Sequence, residues 1–336
     1  MEFAYRKVLA IAQSPLQLLG VVEWILEHRP ITCDLVLVFD PRAKENKNQM
    51  QMVVDMFELS VFETIENSGR TSFLRYVNFI KSAKATAYDC ALICGYGSFH
   101  EALVANLDCN VYLLDDGSDA LDVRRKMLSF GPNWGIRERG LKVLRFLLLG
   151  LNIKILKLSR INFFSFVLAA TDKSPAVISH SFSNVKRALR TKSKLVTLST
   201  DAFFLDSPLE ENGFIHIDTN IKAYRTAKTI SGRELFYVPH REQVSSQSQS
   251  LARDCGLQVL MPKMPIEAYF LVSGIEPSVI FTTATTAVFS LKLIFPNCSF
   301  YAFDVRPNLL SKADRRSYDD FYKQATAAGV RVTSFD

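Results

Sequence analysis

Short, nearly unbroken apolar runs recur along this chain, and they constrain its fold more than any other feature. Val8–Gln13, Leu35–Asp40, Ala91–Gly95 and Val111–Leu114 are such runs. A strand with one wet face alternates apolar and polar residues; a strand apolar throughout is covered on both faces. Between these runs lie stretches with helical spacing: Leu16–His28, Met50–Phe57, Ser72–Ala83 and Phe99–Asn106. Ser14 suits an N-cap and Pro15 a first helical turn. Strand and helix in alternation predict an α/β chain, with a parallel sheet sandwiched between helices.

The pattern returns in the last third. Leu195–Leu198, Leu235–Val238, Gln258–Met261, Val279–Thr282 and Phe300–Phe303 read as strands. Ser245–Cys255, Ile266–Ser273, Thr286–Ile294 and Arg315–Ala328 read as helices. A chain of 336 residues has room for two domains. The expected division is 1–185 and 186–336, each half Rossmann-like, with no internal sequence repeat.

A composition of 48% apolar and 22% charged residues excludes wholesale disorder. A net charge of +6 is too small to indicate nucleic acid by itself. The six cysteines contain no CxxC pair, which leaves a zinc ribbon or a thioredoxin motif unsupported; reduced thiols are expected. The N-terminus does not read as a signal peptide, and no uncharged apolar stretch approaches the roughly 18 residues of a membrane span. A cytoplasmic protein is expected.

The middle of the chain differs. Ten Lys and Arg lie between Arg124 and Arg160, against Glu138 alone, and apolar residues such as Leu144, Phe146, Leu147, Leu148 and Ile153 are interleaved with them. Phe163, Phe164 and Phe166 follow. This segment suits either the surface of an anionic membrane, the inner face of the cytoplasmic membrane being the one available, or a core helix with cations along its rim.

Three runs could carry chemistry. Asp115-Asp116-Gly117 follows the apolar Tyr112–Leu114, where open parallel sheets bind ligands. The acids either meet a ligand there or cap the next helix. Pro239-His240-Arg241-Glu242 also ends a strand, and imidazole beside guanidinium suits an anion. Thr285-Thr286-Ala287 opens a helix, where hydroxyls and free N–H groups either hold phosphate or serve as ordinary caps. Glu267, at another helix start, could accept from ribose hydroxyls or simply complement the helix dipole. Gly95-Tyr96-Gly97 is an incomplete dinucleotide fingerprint.

Taken in order, these runs resemble the bacterial sialyltransferases that make lipooligosaccharide and capsular polysialic acid. That group carries an acid–acid–Gly motif, a His-Pro motif and a Ser/Thr pair on a GT-B fold. Here they read Asp115-Asp116-Gly117, Pro239-His240 and Thr285-Thr286, with Leu291-Lys292 and Pro296 after the last. Arg241 stands where the family has a second proline. Ser14-Pro15-Leu16-Gln17 and Ser207-Pro208-Leu209-Glu210 are lesser similarities.

The resemblance implies two Rossmann-like domains with a cleft between them, the first on the acceptor side and the second holding a CMP-sugar. It implies inverting, metal-independent transfer of sialic acid or a related nonulosonate to a surface glycan or glycolipid, with no cofactor and no nucleic acid partner. Asp116 would be the general base, with Asp115 as the fallback, and His240 would stabilise the leaving phosphate. Gly117, Ser14, Gln17, Thr285 and Thr286 would bind substrate, Glu267 the ribose and Arg241 the sugar carboxylate. The alternatives are a GT-B transferase for another CMP- or UDP-sugar, and a non-catalytic glycan- or nucleotide-binding protein.

Overall fold

The computed structural model describes residues 5–67, 69–115, 119–131, 140–154, 158–192, 201–241, 247–311 and 315–335. The chain divides into two compact units, Met1–Val185 and Lys186–Asp336. In the first, the order is β1 (Lys7–Ala12), α1 (Pro15–His28), β2 (Thr32–Phe39), α2 (Lys44–Met56), β3 (Val61–Glu66), α3 (Gly69–Ala85), β4 (Cys90–Cys94), α4 (Ser98–Asn106), β5 (Asn110–Leu114), α5 (Asp119–Phe130), α6 (Gly140–Leu148), β6 (Ile161–Ser165) and β7 (Ala176–Ser179). Helix α7 (Ser183–Arg190) carries the boundary. The second unit follows as β8 (Ala202–Leu205), α8 (Ile217–Ser231), β9 (Leu235–Val238), α9 (Gln247–Asp254), β10 (Gln258–Val259), α10 (Ile266–Val272), β11 (Val279–Thr282), α11 (Ala287–Ile294), β12 (Ser299–Phe303), α12 (Arg315–Ala327) and β13 (Arg331–Thr333).

Both sheets are parallel throughout. The first runs β3-β2-β1-β4-β5-β6-β7 and the second β10-β9-β8-β11-β12-β13. Each sheet starts in its middle, grows to one side, and then returns to grow on the other. That reversal creates a crevice at the C-terminal ends of the two central strands, β1 and β4 in the first unit and β8 and β11 in the second.

Burial explains the all-apolar runs. Val8 through Ala12 and Cys90 through Cys94 are wholly buried, since helices cover both faces of these central strands. The aromatic residues in the second unit make its sheet dense: Phe204, Phe281 and Phe303 stack across neighbouring strands. All six cysteines are free thiols.

The structure corrects several sequence expectations. Phe163 and Phe164 are not part of an amphipathic surface segment; they are fully buried in β6. Helix α2 begins at Lys44, six residues before the expected Met50, because its first turns are polar yet half covered, with Asn46 and Gln49 buried. Strands β3, β6, β7, β8 and β13 and helices α5, α7 and α8 were not anticipated. The expected strand at Leu195–Leu198 falls outside the described residues; the second unit's first described strand is the unanticipated β8.

The buried carboxylate of Glu23, on α1, accepts from the backbone N–H groups of Asn184 (3.1 Å) and Val185 (2.8 Å) at the start of α7. An anion at a helix N-terminus satisfies donors that have no partner within the helix. The chain's exit from the first unit is thereby fixed to α1. No helix among the described residues is long and apolar enough to cross a membrane.

Candidate functional site

The predicted site residues among those described fall at the C-terminal edges of the two sheets, and each edge has its own chemistry. In the first unit, Ser14 caps α1 by accepting from Gln17 N (3.3 Å), and Gln17 Oε1 accepts in turn from Gln13 N (2.7 Å). Both side chains are therefore engaged in holding the turn after β1, and Gln17 is buried. Gln13 itself extends to His100, whose Nε2 lies 2.6 Å from the Gln13 amide. Gly97 N donates to His100 Nδ1 (3.3 Å), so both ring nitrogens of the buried imidazole are engaged. Asn46 Nδ2 donates to Gln13 O (2.9 Å), leaving the buried Asn46 Oδ1 with no hydrogen-bond partner.

Gly95 makes this cluster possible. Its φ is +112°, and a Cβ there would lie 2.9 Å from His100 Cε1. The Gly95-Tyr96-Gly97 run is thus the turn that seats a buried histidine beside the β1–β4 crevice. Sequence reasoning missed Gln13, Asn46 and His100. The only available signal was a glycine pair after a buried strand.

Asp115 follows β5 and is 4% exposed. Its Oδ1 accepts from Ser165 Oγ (2.6 Å) and its Oδ2 from Phe166 N (2.6 Å), tying the ends of β5 and β6 together. Ser165 Oγ also accepts from Val167 N (3.1 Å) and Leu168 N (2.9 Å), so its own proton is committed to Asp115. Asp116 and Gly117 lie outside the described residues.

In the second unit three separate sequence runs converge. His240 and Arg241 follow β9, Glu267 lies in the first turn of α10, and Thr285 and Thr286 precede α11. Burial, and next the neighbouring Arg241 charge, lower the His240 pKa to about 4. Glu267 is buried, which pushes its carboxyl above the ordinary range, while a hydrogen bond from Ser290 Oγ (2.6 Å) and the Arg241 charge act in the opposite sense. Arg241 therefore lies within electrostatic reach of both. Its buried Nε has no hydrogen-bond partner among the described residues.

Ser290 belongs to α11, so Glu267 is held by the helix that Thr285 and Thr286 open. Thr286 sits at the N-cap, yet its side chain makes no capping bond. Thr285 N donates to Thr282 Oγ1 (3.3 Å). Two residues beyond the predicted set join this edge. Ser207, after β8, accepts from Ala284 N (3.3 Å), and the buried Thr283 Oγ1 has no partner.

Two measurements check this account. Asp115→Asn can satisfy only one of Ser165 Oγ–H and Phe166 N–H, because the Ser165 lone pairs are already used. The loss should be about 1–3 kcal/mol, seen in calorimetry as a lower midpoint for the first unit's transition. For His240, an NMR titration of the free protein should give a midpoint near 4, rising when a phosphate-bearing nucleotide binds, because a nearby anion favours the imidazolium. A midpoint of ordinary histidine value would show that His240 is neither buried nor exposed to the Arg241 charge as described.

No protein-family model matches the sequence, and neither does any curated protein sequence. Solved structures do match. One, from Listeria monocytogenes and assigned as a UDP-N-acetylglucosamine 2-epimerase, is 12% identical with a TM-score of 0.56, covering 97% of this chain and 88% of that one. The α/β-galactoside α-2,3-sialyltransferase of Photobacterium phosphoreum is 10% identical with a TM-score of 0.53, covering 97% and 98%. A spinosyn rhamnosyltransferase complexed with thymidine diphosphate is 12% identical with a TM-score of 0.52, covering 97% and 86%. At these identities the likeness is one of fold: the chain is an α/β protein with the two-domain, Rossmann-like GT-B fold.

Proposed function

We propose that this protein is a glycosyltransferase that moves a sialic acid or related nonulosonate from a CMP-activated donor to a glycan or glycolipid acceptor, with inversion and without a metal. The observation that carries this reading is the second unit's sheet edge, where His240, Arg241, Glu267, Thr285 and Thr286 lie after strand ends and at helix starts, with Arg241 acting on both His240 and Glu267. An anion bearing a ribose matches those groups. The sialyltransferase among the similar structures and the ordered motifs in the sequence support the choice of sugar.

In this reading the unit Lys186–Asp336 holds the CMP-sugar and the unit Met1–Val185 serves the acceptor. The acceptor hydroxyl attacks the anomeric carbon as the bond to the CMP phosphate oxygen breaks. Asp116 removes the hydroxyl proton, which a neutral alcohol must lose to attack well. Asp115 is a poor alternative, since both its oxygens are already occupied. His240 and the Thr285–Thr286 turn take up charge on the departing phosphate. Glu267 accepts from the ribose, and Arg241 pairs with the sugar carboxylate.

A second reading, a UDP- or TDP-sugar enzyme, is favoured by the epimerase and the thymidine diphosphate complex among the similar structures. Incubation with a panel of CMP- and UDP-sugars, in the presence of EDTA, separates the two. CMP release that needs an acceptor and survives EDTA supports the proposal. Turnover of UDP-sugars alone, or activity restored only by Mg²⁺ or Mn²⁺, overturns it. Binding without turnover of any donor would leave a nucleotide-binding protein.

Two substitutions test the roles. Asp116→Asn should cut turnover by about 10²–10⁴-fold and leave CMP binding intact. Arg241→Ala should weaken the CMP-sugar while sparing CMP, which lacks the carboxylate; Arg241→Lys should keep the charge but lose the planar fork, and so also bind the donor more weakly. Calorimetry with both ligands decides, and an equal loss for both would place Arg241 on the phosphate.

A further inference from the structure

The sequence left the basic middle segment open between a membrane surface and a rimmed core helix, and α6 shows both characters on opposite sides. Its inner side is anchored: Phe146 is 4% exposed and meets Phe73 of α3 at 5.2 Å between ring centroids. Just beyond the helix, Leu151 is buried in the same core. Its outer side is apolar and uncovered. Leu144, Leu147 and Leu148 are 50%, 49% and 78% exposed. Their spacing of i, i+3 and i+4 puts them in one stripe along a helix. A stripe of that pattern ordinarily faces a core; here it faces outward on a helix already seated by another side.

The surrounding charge selects the occupant. Arg145 lies beside the stripe and is exposed, as is Lys154. The segment from Arg124 to Arg160 carries ten Lys and Arg against Glu138 alone; Arg125 and Lys126 pair with Asp122, and Arg160 with Asp108, which leaves the excess with the remaining cations around α6 in sequence. A second copy of this chain docking through the same stripe would bring that positive segment against itself. Three leucines are also far short of the roughly 800 Å² per partner that a stable protein interface buries. A bilayer interface offers hydrocarbon for the leucines and anionic headgroups for the cations in one layer.

We propose that the outward stripe of α6, Leu144, Leu147 and Leu148 with Arg145 beside it, docks the protein on the surface of an anionic phospholipid bilayer. The helix lies in the interface plane without crossing it. This inference rests on α6 and its charge alone and stands whichever sugar the protein handles.

Sedimentation of the full chain with vesicles tests it. The protein should pellet with vesicles of phosphatidylcholine mixed with phosphatidylglycerol, and remain in solution with phosphatidylcholine alone. Binding should fall in high salt. Replacing Leu147 and Leu148 together by Glu should lower the partition coefficient about tenfold or more, as two apolar side chains are lost from the hydrocarbon and two acids face anionic lipid. Arg145→Ala should lower it about fivefold, the equivalent of about 1 kcal/mol per cation at such a surface. Both variants should melt with the parent, because the altered side chains point outward. Equal binding to the neutral vesicles overturns the proposal. So does full vesicle binding by the double Glu variant, or a dimer that this variant turns into a monomer while vesicle binding is unchanged.

Discussion

Parallel strand pairing sets nearly everything else in this protein. A parallel neighbour can be reached only by a crossover, so every strand in a sheet ends at the same edge. All the polar groups that follow the strands are gathered there, whatever their distance in sequence. Gln13 and His100 are 87 residues apart, and Asp115 and Ser165 are 50 apart, yet each pair is in hydrogen-bond contact. The reversal of strand order then parts the two central crossovers and leaves room beside β1 and β4, and beside β8 and β11.

The two edges meet the demand for satisfied polar groups differently. In the first unit most groups are spent on one another: Ser14, Gln17, Gln13, His100 and Gly97 are linked in one run of hydrogen bonds, Asp115 locks two strand ends, and the buried acceptor Asn46 Oδ1 is left over. Such a network rigidifies an edge. In the second unit Arg241 Nε and Thr283 Oγ1, which are left over, can both donate. Unsatisfied buried donors cost stability, and an edge that keeps them is suited to a ligand that supplies the missing acceptors.

The sequence makes the architecture legible wherever a strand is apolar from end to end and bounded by polar residues. Leu235–Val238 and Val279–Thr282 coincide with β9 and β11 to the residue. Phe163 and Phe164 misled because they follow a basic stretch; what buries them is register, with Phe163 opposite Leu113 and Val177. The runs that end in His240, Glu267 and Thr286 could be picked out as strand or helix ends, but not that they meet. Their meeting depends on strand order, which no local pattern encodes. The use made of Ser14 and Gln17 in capping, and of Asp115 in joining β5 to β6, is equally a matter of neighbours.

Arg241 sets the electrostatics of the second unit's edge. A proline at that position would bring neither charge nor a donor. The guanidinium brings both, and its charge, added to burial, keeps His240 neutral well below neutral pH. A neutral imidazole offers a phosphate one N–H and no formal charge. The positive charge then has to come from Arg241, which stays protonated at any working pH. Glu267 experiences the same field with the opposite consequence, since the guanidinium eases the cost of its burial. On the proposed reading, the arginine therefore divides the labour of the site. Charge attraction belongs to Arg241, directional hydrogen bonding to His240 and the threonine hydroxyls, and acceptance from ribose to Glu267. A leaving group with a single phosphate suits such an arrangement, because the charge it develops is small enough for one guanidinium and a few aligned dipoles to hold.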